Sequence, residues 1–237
     1  MPRPALTAEQ RTEQEARQLR QLLRGMAACL RAQPFAHTTI ADVVRAARVS
    51  KSTFYAHFAD KEACYVALYS AAVDNVLKAM READAAATEA GLSWREHLDA
   101  VNAAYLSTLA IGGGMTRSML VEFQTAGPSA QAMRREVFDR YVRLMRGVCD
   151  ALRADEPALN PVQPGLALAV VGGVDEIVVR AIESEGVEAI AALGDIATGL
   201  WAAVLTGAVV PARARSAAAA RSPGSRAAAR ATLPPRA

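Results

Sequence analysis

The stretch Thr38 to Glu62 reads T-T-I-A-D-V-V-R-A-A-R-V-S-K-S-T-F-Y-A-H-F-A-D-K-E, and its local chemistry describes two short helices and the start of a third. Thr39 is placed to cap the first helix, with Asp42 three residues on as its reciprocal partner. Ile40, Val43, Val44 and Ala47 then fall on one helical face. Arg48 and Val49 make the turn. Ser50 can accept hydrogen bonds from the free N–H groups that open the second helix. That helix carries Lys51, Ser52, Thr53, Tyr55 and His57 on its open side, and Phe54 and Phe58 on its buried side. Asp60 caps the third helix, and Lys61 sits in its first turn.

This spacing is that of a helix-turn-helix, in which the first helix braces a second whose N-terminal residues enter the major groove. Small hydroxyl side chains there approach base edges. Lys51, Tyr55 and Lys61 suit phosphates, which set register rather than sequence. The candidate DNA-contact set is Thr39, Lys51, Ser52, Thr53, Tyr55, His57 and Lys61. For His57 a phosphate contact and an ordinary surface position are both open.

The stretch resembles the TetR family of transcriptional regulators. The matching residues are Thr39-Ile40-Ala41-Asp42-Val43-Val44, Ala47, Val49-Ser50-Lys51, Thr53, Tyr55, His57-Phe58 and Asp60-Lys61-Glu62. The resemblance implies an operator-reading second helix, phosphate contacts from the Tyr and from the third helix's Lys, and a homodimer. Arg48 stands where that family usually has Gly, and a left-handed residue there costs a side chain about 1 kcal/mol. Pro34 stands where the family often has Gly at the end of the preceding helix.

The 237 residues allow one large domain or two small ones, and 52% are apolar, enough for a sizeable core. No convincing run of alternating β-branched residues appears, while Ala and Leu recur at helical spacing, so the fold class is all-α. Cys29, Cys64 and Cys149 are odd in number and widely spaced, which argues against a disulfide framework or zinc site and fits a reducing, cytoplasmic setting. No signal pattern opens the chain, and the most apolar segment, 187–210, is interrupted by Glu188, Asp195 and glycines. A buried helix is expected there rather than a membrane span. Charge is segregated: residues 1–65 carry a net +4, residues 66–207 a net −7 and residues 208–237 a net +6. A basic head on an acidic body fits a molecule with one end on nucleic acid.

The expected organisation is a helix-turn-helix domain over 9–68, an effector-binding and dimerisation bundle over 69–209, and a basic disordered tail over 210–237. Helix one is expected over 9–33, with Leu19, Leu22, Leu23, Met26 and Leu30 as its apolar stripe. Arg3, Arg11 and Arg17 are either backbone contacts or solvated charges. A long fourth helix, 60–87, begins in the head and ends in the body. Ser93 caps a helix that Gly112-Gly113-Gly114 breaks. One short helix is expected over 115–125, and Gly127-Pro128 starts the next, over 129–153. Pro157, Pro161 and Pro164 stiffen a loop before two final helices, 165–184 and 187–206. These are apolar over wide arcs. Val170, Gly173, Val174, Ile177, Ile196, Leu200, Trp201 and Val204 are the candidates for packing against a second copy. The tail adds nonspecific DNA affinity or has no dedicated role.

In the body, Trp94, Tyr105, Met119, Phe123, Phe138, Tyr141 and Met145 are candidate walls of an apolar effector pocket, with plain core packing as the alternative. Asp175, Glu176 and Arg180 suit a polar ligand group or, for the last two, an i,i+4 ion pair. Three histidines without helical spacing make no metal site, and no cofactor is expected. There is no P-loop, no dinucleotide glycine motif after a strand and no Ser-His-Asp arrangement, so no enzyme is expected. The reading is a DNA-binding regulator, a repressor released from a palindromic double-stranded operator by a small apolar or amphipathic effector. The alternative is a DNA-bound regulator whose body recruits a protein and has no small-molecule pocket.

Overall fold

The computed structural model describes residues 7–208, which form helices and connecting turns with no strand among them. Arg3 and the tail expected over 210–237 lie outside the described residues. Helix α1 spans Ala8–Ala32, opened by a capping box between Thr7 and Gln10. It stops because Pro34 forces the residue before it out of helical geometry: Gln33 is extended, at φ −156° and ψ 157°. Pro34 then opens a single 3-10 turn, Phe35–His37, that carries the chain to α2, Ile40–Ala47.

Helix α3, Lys51–His57, follows α2, and Leu22, Met26, Val43, Val44, Phe54 and Phe58 are buried between α1, α2 and α3. Helix α4, Lys61–Glu89, belongs to both halves of the molecule. Its Cys64, Tyr65 and Leu68 complete the head, and its Val73, Val76, Leu77 and Met80 enter the core of the body.

The body adds α5, Trp94–Ile111, capped by a Ser93–Glu96 box and ended at Gly112. Gly113 sits at φ +55°, a conformation that glycine adopts at little steric cost. The expected single helix over 115–125 is instead three short pieces: α6 at Gly114–Arg117, a π-helical turn at Ser118–Glu122 and a 3-10 turn at Phe123–Thr125. Long-range hydrogen bonds accompany the departure. The Tyr65 hydroxyl donates to the Ser118 carbonyl at 2.8 Å, and the Glu122 carboxylate accepts from the Phe35 N–H at 2.9 Å.

Helices α7, Pro128–Asp155, α8, Pro164–Ser184, and α9, Gly194–Leu205, close the bundle. Residues Val187–Leu193, expected to be α-helical, wind as a 3-10 helix before α9. By length and composition Val187–Leu205 is apolar enough to cross a membrane, yet it packs here with Ile190, Ala197, Trp201, Val204 and Leu205 buried. A buried Asn102–Thr198 hydrogen bond of 3.2 Å joins α5 to α9, and buried His97 pairs with Asp84 at 2.6 Å to join α5 to α4.

Four of the residues expected to meet a second copy are used by this chain's own core: Val170, Val174, Trp201 and Val204 are each less than one-tenth exposed. Their apolar neighbours lie on α5, α7 and the 3-10 segment of the same chain, which the sequence pattern did not locate. Gly173, Ile177 and Leu200 remain partly exposed and Ile196 is 48% exposed; Leu168, outside the set, is 47% exposed. Only these four of the eight candidates, Gly173, Ile177, Ile196 and Leu200, keep appreciable accessible surface in this chain.

Candidate nucleic-acid interface and effector cavity

The head is built from local chemistry. At the start of α2 the Thr39 hydroxyl accepts from the Asp42 N–H at 3.2 Å, and the Asp42 carboxylate accepts from the Thr39 N–H at 3.0 Å. The Thr39 hydrogen bonds hold the Asp42 carboxyl below its ordinary range, with the Arg45 ion pair adding to the effect. Arg48 ends α2 in the left-handed conformation, φ 56° and ψ 44°, as expected for a position that favours glycine. Ser50 then caps α3 by accepting from the Thr53 N–H at 3.0 Å, and its hydroxyl lies 2.7 Å from that of Ser52 and 2.8 Å from that of Thr53.

With Phe54 and Phe58 buried inward, α3 turns Lys51, Ser52 and Tyr55 to solvent. Tyr55 is 57% exposed although it is a large aromatic residue. Thr39 is exposed beside them, and Thr53 is half-buried. His57 is half-buried, its Nε2 3.2 Å from the Gln18 side-chain oxygen on α1. Lys61 turns inward: Nζ donates to the carbonyls of Phe35 at 3.1 Å and Thr38 at 3.0 Å and lies 4.6 Å from the centre of the Phe35 ring. It thereby fixes the turn between α1 and α2.

The body encloses a cavity of about 490 Å³, within the size range of small-molecule sites. Of the candidate wall residues, Tyr105, Met119, Phe138, Tyr141 and Met145 line it. Trp94 and Phe123 do not. Trp94 packs at the start of α5 against the general core. Phe123 is fully buried between two tyrosines, its ring 3.9 Å from that of Tyr69 and 5.1 Å from that of Tyr65. Trp201, read from the sequence as an interface residue, is a cavity residue, and so is Asp175. Glu176 and Arg180 form the expected helix ion pair at 2.7 Å. Arg24 and Arg31, two turns apart on α1, also border the cavity, so the head contributes to its rim. Their helical spacing was visible in the sequence, but nothing local linked it to the body.

A column of rings runs from this cavity to the helix-turn-helix. Tyr69 lines the cavity and stacks on Phe123. Phe123 meets Tyr65, and Tyr65 stacks on Phe35 at 4.3 Å, within the turn that Lys61 and Glu122 hold. Phe35 leads directly to the cap of α2. The column gives a contiguous packed route between the cavity and the head.

Residues 22–68 match the family model for bacterial regulatory proteins of the tetR family. No curated protein matches the chain. Among solved structures, FadR from Bacillus subtilis in complex with stearoyl-CoA is similar at 16% identity, with 78% of this chain and 98% of that one covered and a TM-score of 0.65. The fatty acid degradation regulator FadR from Bacillus halodurans is similar at 15% identity, over 77% of this chain and 93% of that one, with a TM-score of 0.66. The TetR family regulator PfmR from Thermus thermophilus shares 18% identity over 82% and 97% of the two chains, with a TM-score of 0.55. At these identities the likeness is one of fold: an N-terminal helix-turn-helix domain and a larger C-terminal helical domain.

Proposed function

We propose that this chain, which belongs to the tetR family of bacterial regulatory proteins, is a cytoplasmic homodimeric repressor that a small apolar or amphipathic effector releases from a palindromic operator. The observation that carries the reading is one helix-turn-helix and one largely apolar cavity joined by α4 and by the ring column from Tyr69 to Phe35. An open cavity favours an effector site over a solid platform for a protein partner. The similar FadR from Bacillus subtilis is in complex with stearoyl-CoA, an amphipathic molecule, which supports reading the body as a site for an amphipathic ligand.

On the operator, two α3 helices would lie about 34 Å apart to meet successive major grooves. Ser52 and Thr53 would read base edges. Lys51, Tyr55 and His57 would hold phosphates, joined by Thr39 and by Lys61 if it turns out from its carbonyl cage. Effector binding releases DNA only as far as the effector prefers a different spacing of the heads. A hundredfold loss of operator affinity requires a differential preference of about 2.8 kcal/mol.

Fluorescence anisotropy with a labelled duplex from the intergenic region beside the coding sequence tests the reading. A salt-sensitive complex much tighter than with a scrambled duplex is the expected result. Tyr55→Phe should weaken both complexes alike, and Thr53→Ala should change the preference between sequences. Equal affinity for operator and scrambled duplex across all salt concentrations would overturn it.

A further inference from the structure

The inner surface of the cavity restricts the effector more narrowly than its volume does; this restriction rests on reading the cavity as the effector site. Tyr69 of α4, Tyr105 of α5 and Tyr141 of α7 all line it, and the last two meet edge to face with ring centres 5.5 Å apart. Their hydroxyls have no hydrogen-bond partner among the described residues, whereas Tyr65, one turn before Tyr69, donates to Ser118 at 2.8 Å. Desolvation is the largest influence on all three phenols and raises their pKa values, so they stay protonated donors at neutral pH. Tyr105 and Tyr141 retain partial accessibility despite this desolvation. The three phenol oxygens are not among the sealed, unpartnered polar atoms, so they stay accessible and free to donate to a molecule in the cavity.

The nearby charge narrows what that partner is. Asp175 of α8 lines the same space as the three tyrosines, and its charge is one of the influences that raise their pKa values. One of its oxygens accepts from Arg134 at 2.6 Å, and that guanidinium rests 4.3 Å from the centre of the Phe138 ring. A carboxylate entering here would face Asp175. An ammonium group would find the charge of Asp175 already met by Arg134 and would lose its hydration for little return. A bare hydrocarbon would leave three phenols unpaired. An uncharged oxygen accepts from a phenol O–H without any of these costs.

We propose that the Tyr69–Tyr105–Tyr141 cluster is a subsite for an uncharged oxygen, hydroxyl or carbonyl, on an apolar skeleton, and that the effector is a neutral oxygenated compound at its inner end. Any charged end of the same molecule lies at the rim, where Arg24 and Arg31 of α1 are exposed. Discrimination follows from the tyrosines, because a site built to hydrogen-bond a group rejects the analogue that lacks it.

The test is calorimetric titration of the full chain with three probes of equal chain length: 2-decanone, decanoate and decyltrimethylammonium. The wild-type protein should bind 2-decanone. Tyr105→Phe and Tyr141→Phe should each weaken that binding about three- to tenfold, the loss of one hydrogen bond. Decanoate should be insensitive to both substitutions and weakened by Arg24→Ala, since its charge stays at the rim. Thermal unfolding without ligand should show both Phe variants at least as stable as wild type, because the removed hydroxyls have no protein partner. Unchanged 2-decanone affinity in the double Phe variant overturns the subsite while leaving the cavity as an effector site. Decanoate or decyltrimethylammonium that binds more tightly than the ketone and loses affinity in the Phe variants also overturns it. Wild-type protein that binds none of the three overturns the effector reading of the cavity itself, and the subsite with it.

Discussion

Gly25 lies where α1 crosses α2, and replacing it with Ala should loosen the head although Ala is the better helix former. A Cβ at that position would stand 2.7 Å from the Val43 carbonyl oxygen, 2.8 Å from the Ala47 Cβ and 2.9 Å from the Ala47 N. Two of these atoms are backbone and the third is a methyl fixed to it, so no side-chain rotation relieves the contact. The helices must separate. Overpacking of this kind costs about 1–3 kcal/mol, and rigid backbone contacts place it toward the upper end. Helix propensity returns about 1 kcal/mol, which leaves a net loss of about 2 kcal/mol. Gly147 in α7 provides the control, because it is exposed and its Cβ would meet nothing within 4 Å. Gly147→Ala should therefore gain about 1 kcal/mol. Urea unfolding by circular dichroism, at one fixed protein concentration because the proposed dimer would couple stability to concentration, compares the two. Gly25→Ala should also bind the operator more weakly, since α2 braces α3. Equal midpoints for Gly25→Ala and Gly147→Ala would refute this account of how the head packs.

Glu122→Ala removes the acceptor of the Phe35 N–H, so amide exchange at Phe35 should accelerate, and effector should release DNA less completely; unchanged exchange would dissociate this contact from the head–body junction. Burial pushes the thiols of Cys64 and Cys149 up to about 12, and also raises that of Cys29, so none should react with a disulfide reagent at pH 8 until the chain unfolds. The Asp42 carboxyl is held low in the folded protein, so its contribution to the α2 cap is complete above the ordinary carboxylate pKa and is lost as pH falls through the lowered value. An NMR titration of Thr39→Ala should show Asp42 returning toward the ordinary range.

What the chain's order of residues reveals depends on how far apart the interacting groups lie. The helix-turn-helix was legible because each decision in it is made within four residues: Thr39 with Asp42, Ser50 with Thr53, and Arg48 at the turn between them. The breaks at Gly112 and Gly127-Pro128 were legible for the same reason. Residues 118–122 were not, since their π-helical winding accompanies contacts with Tyr65 and Phe35, residues far earlier in the chain. Apolar periodicity shows that a face is buried without showing what buries it. Trp201 therefore looked like material for a second copy and proved to line the cavity, while Phe123 looked like cavity wall and proved to be a link in the ring column. The tyrosine cluster illustrates the same limit most sharply. Tyr105 and Tyr141 are candidates for a pocket wall with core packing as the alternative, and nothing in the sequence singles out Tyr69. Only their convergence from α4, α5 and α7 beside Asp175 of α8 turns three ordinary residues into one hydrogen-bonding surface. A specificity of that kind belongs to the packing of four helices, so it can change through a single Tyr-to-Phe replacement while the helix pattern, and the fold it encodes, stay as they are.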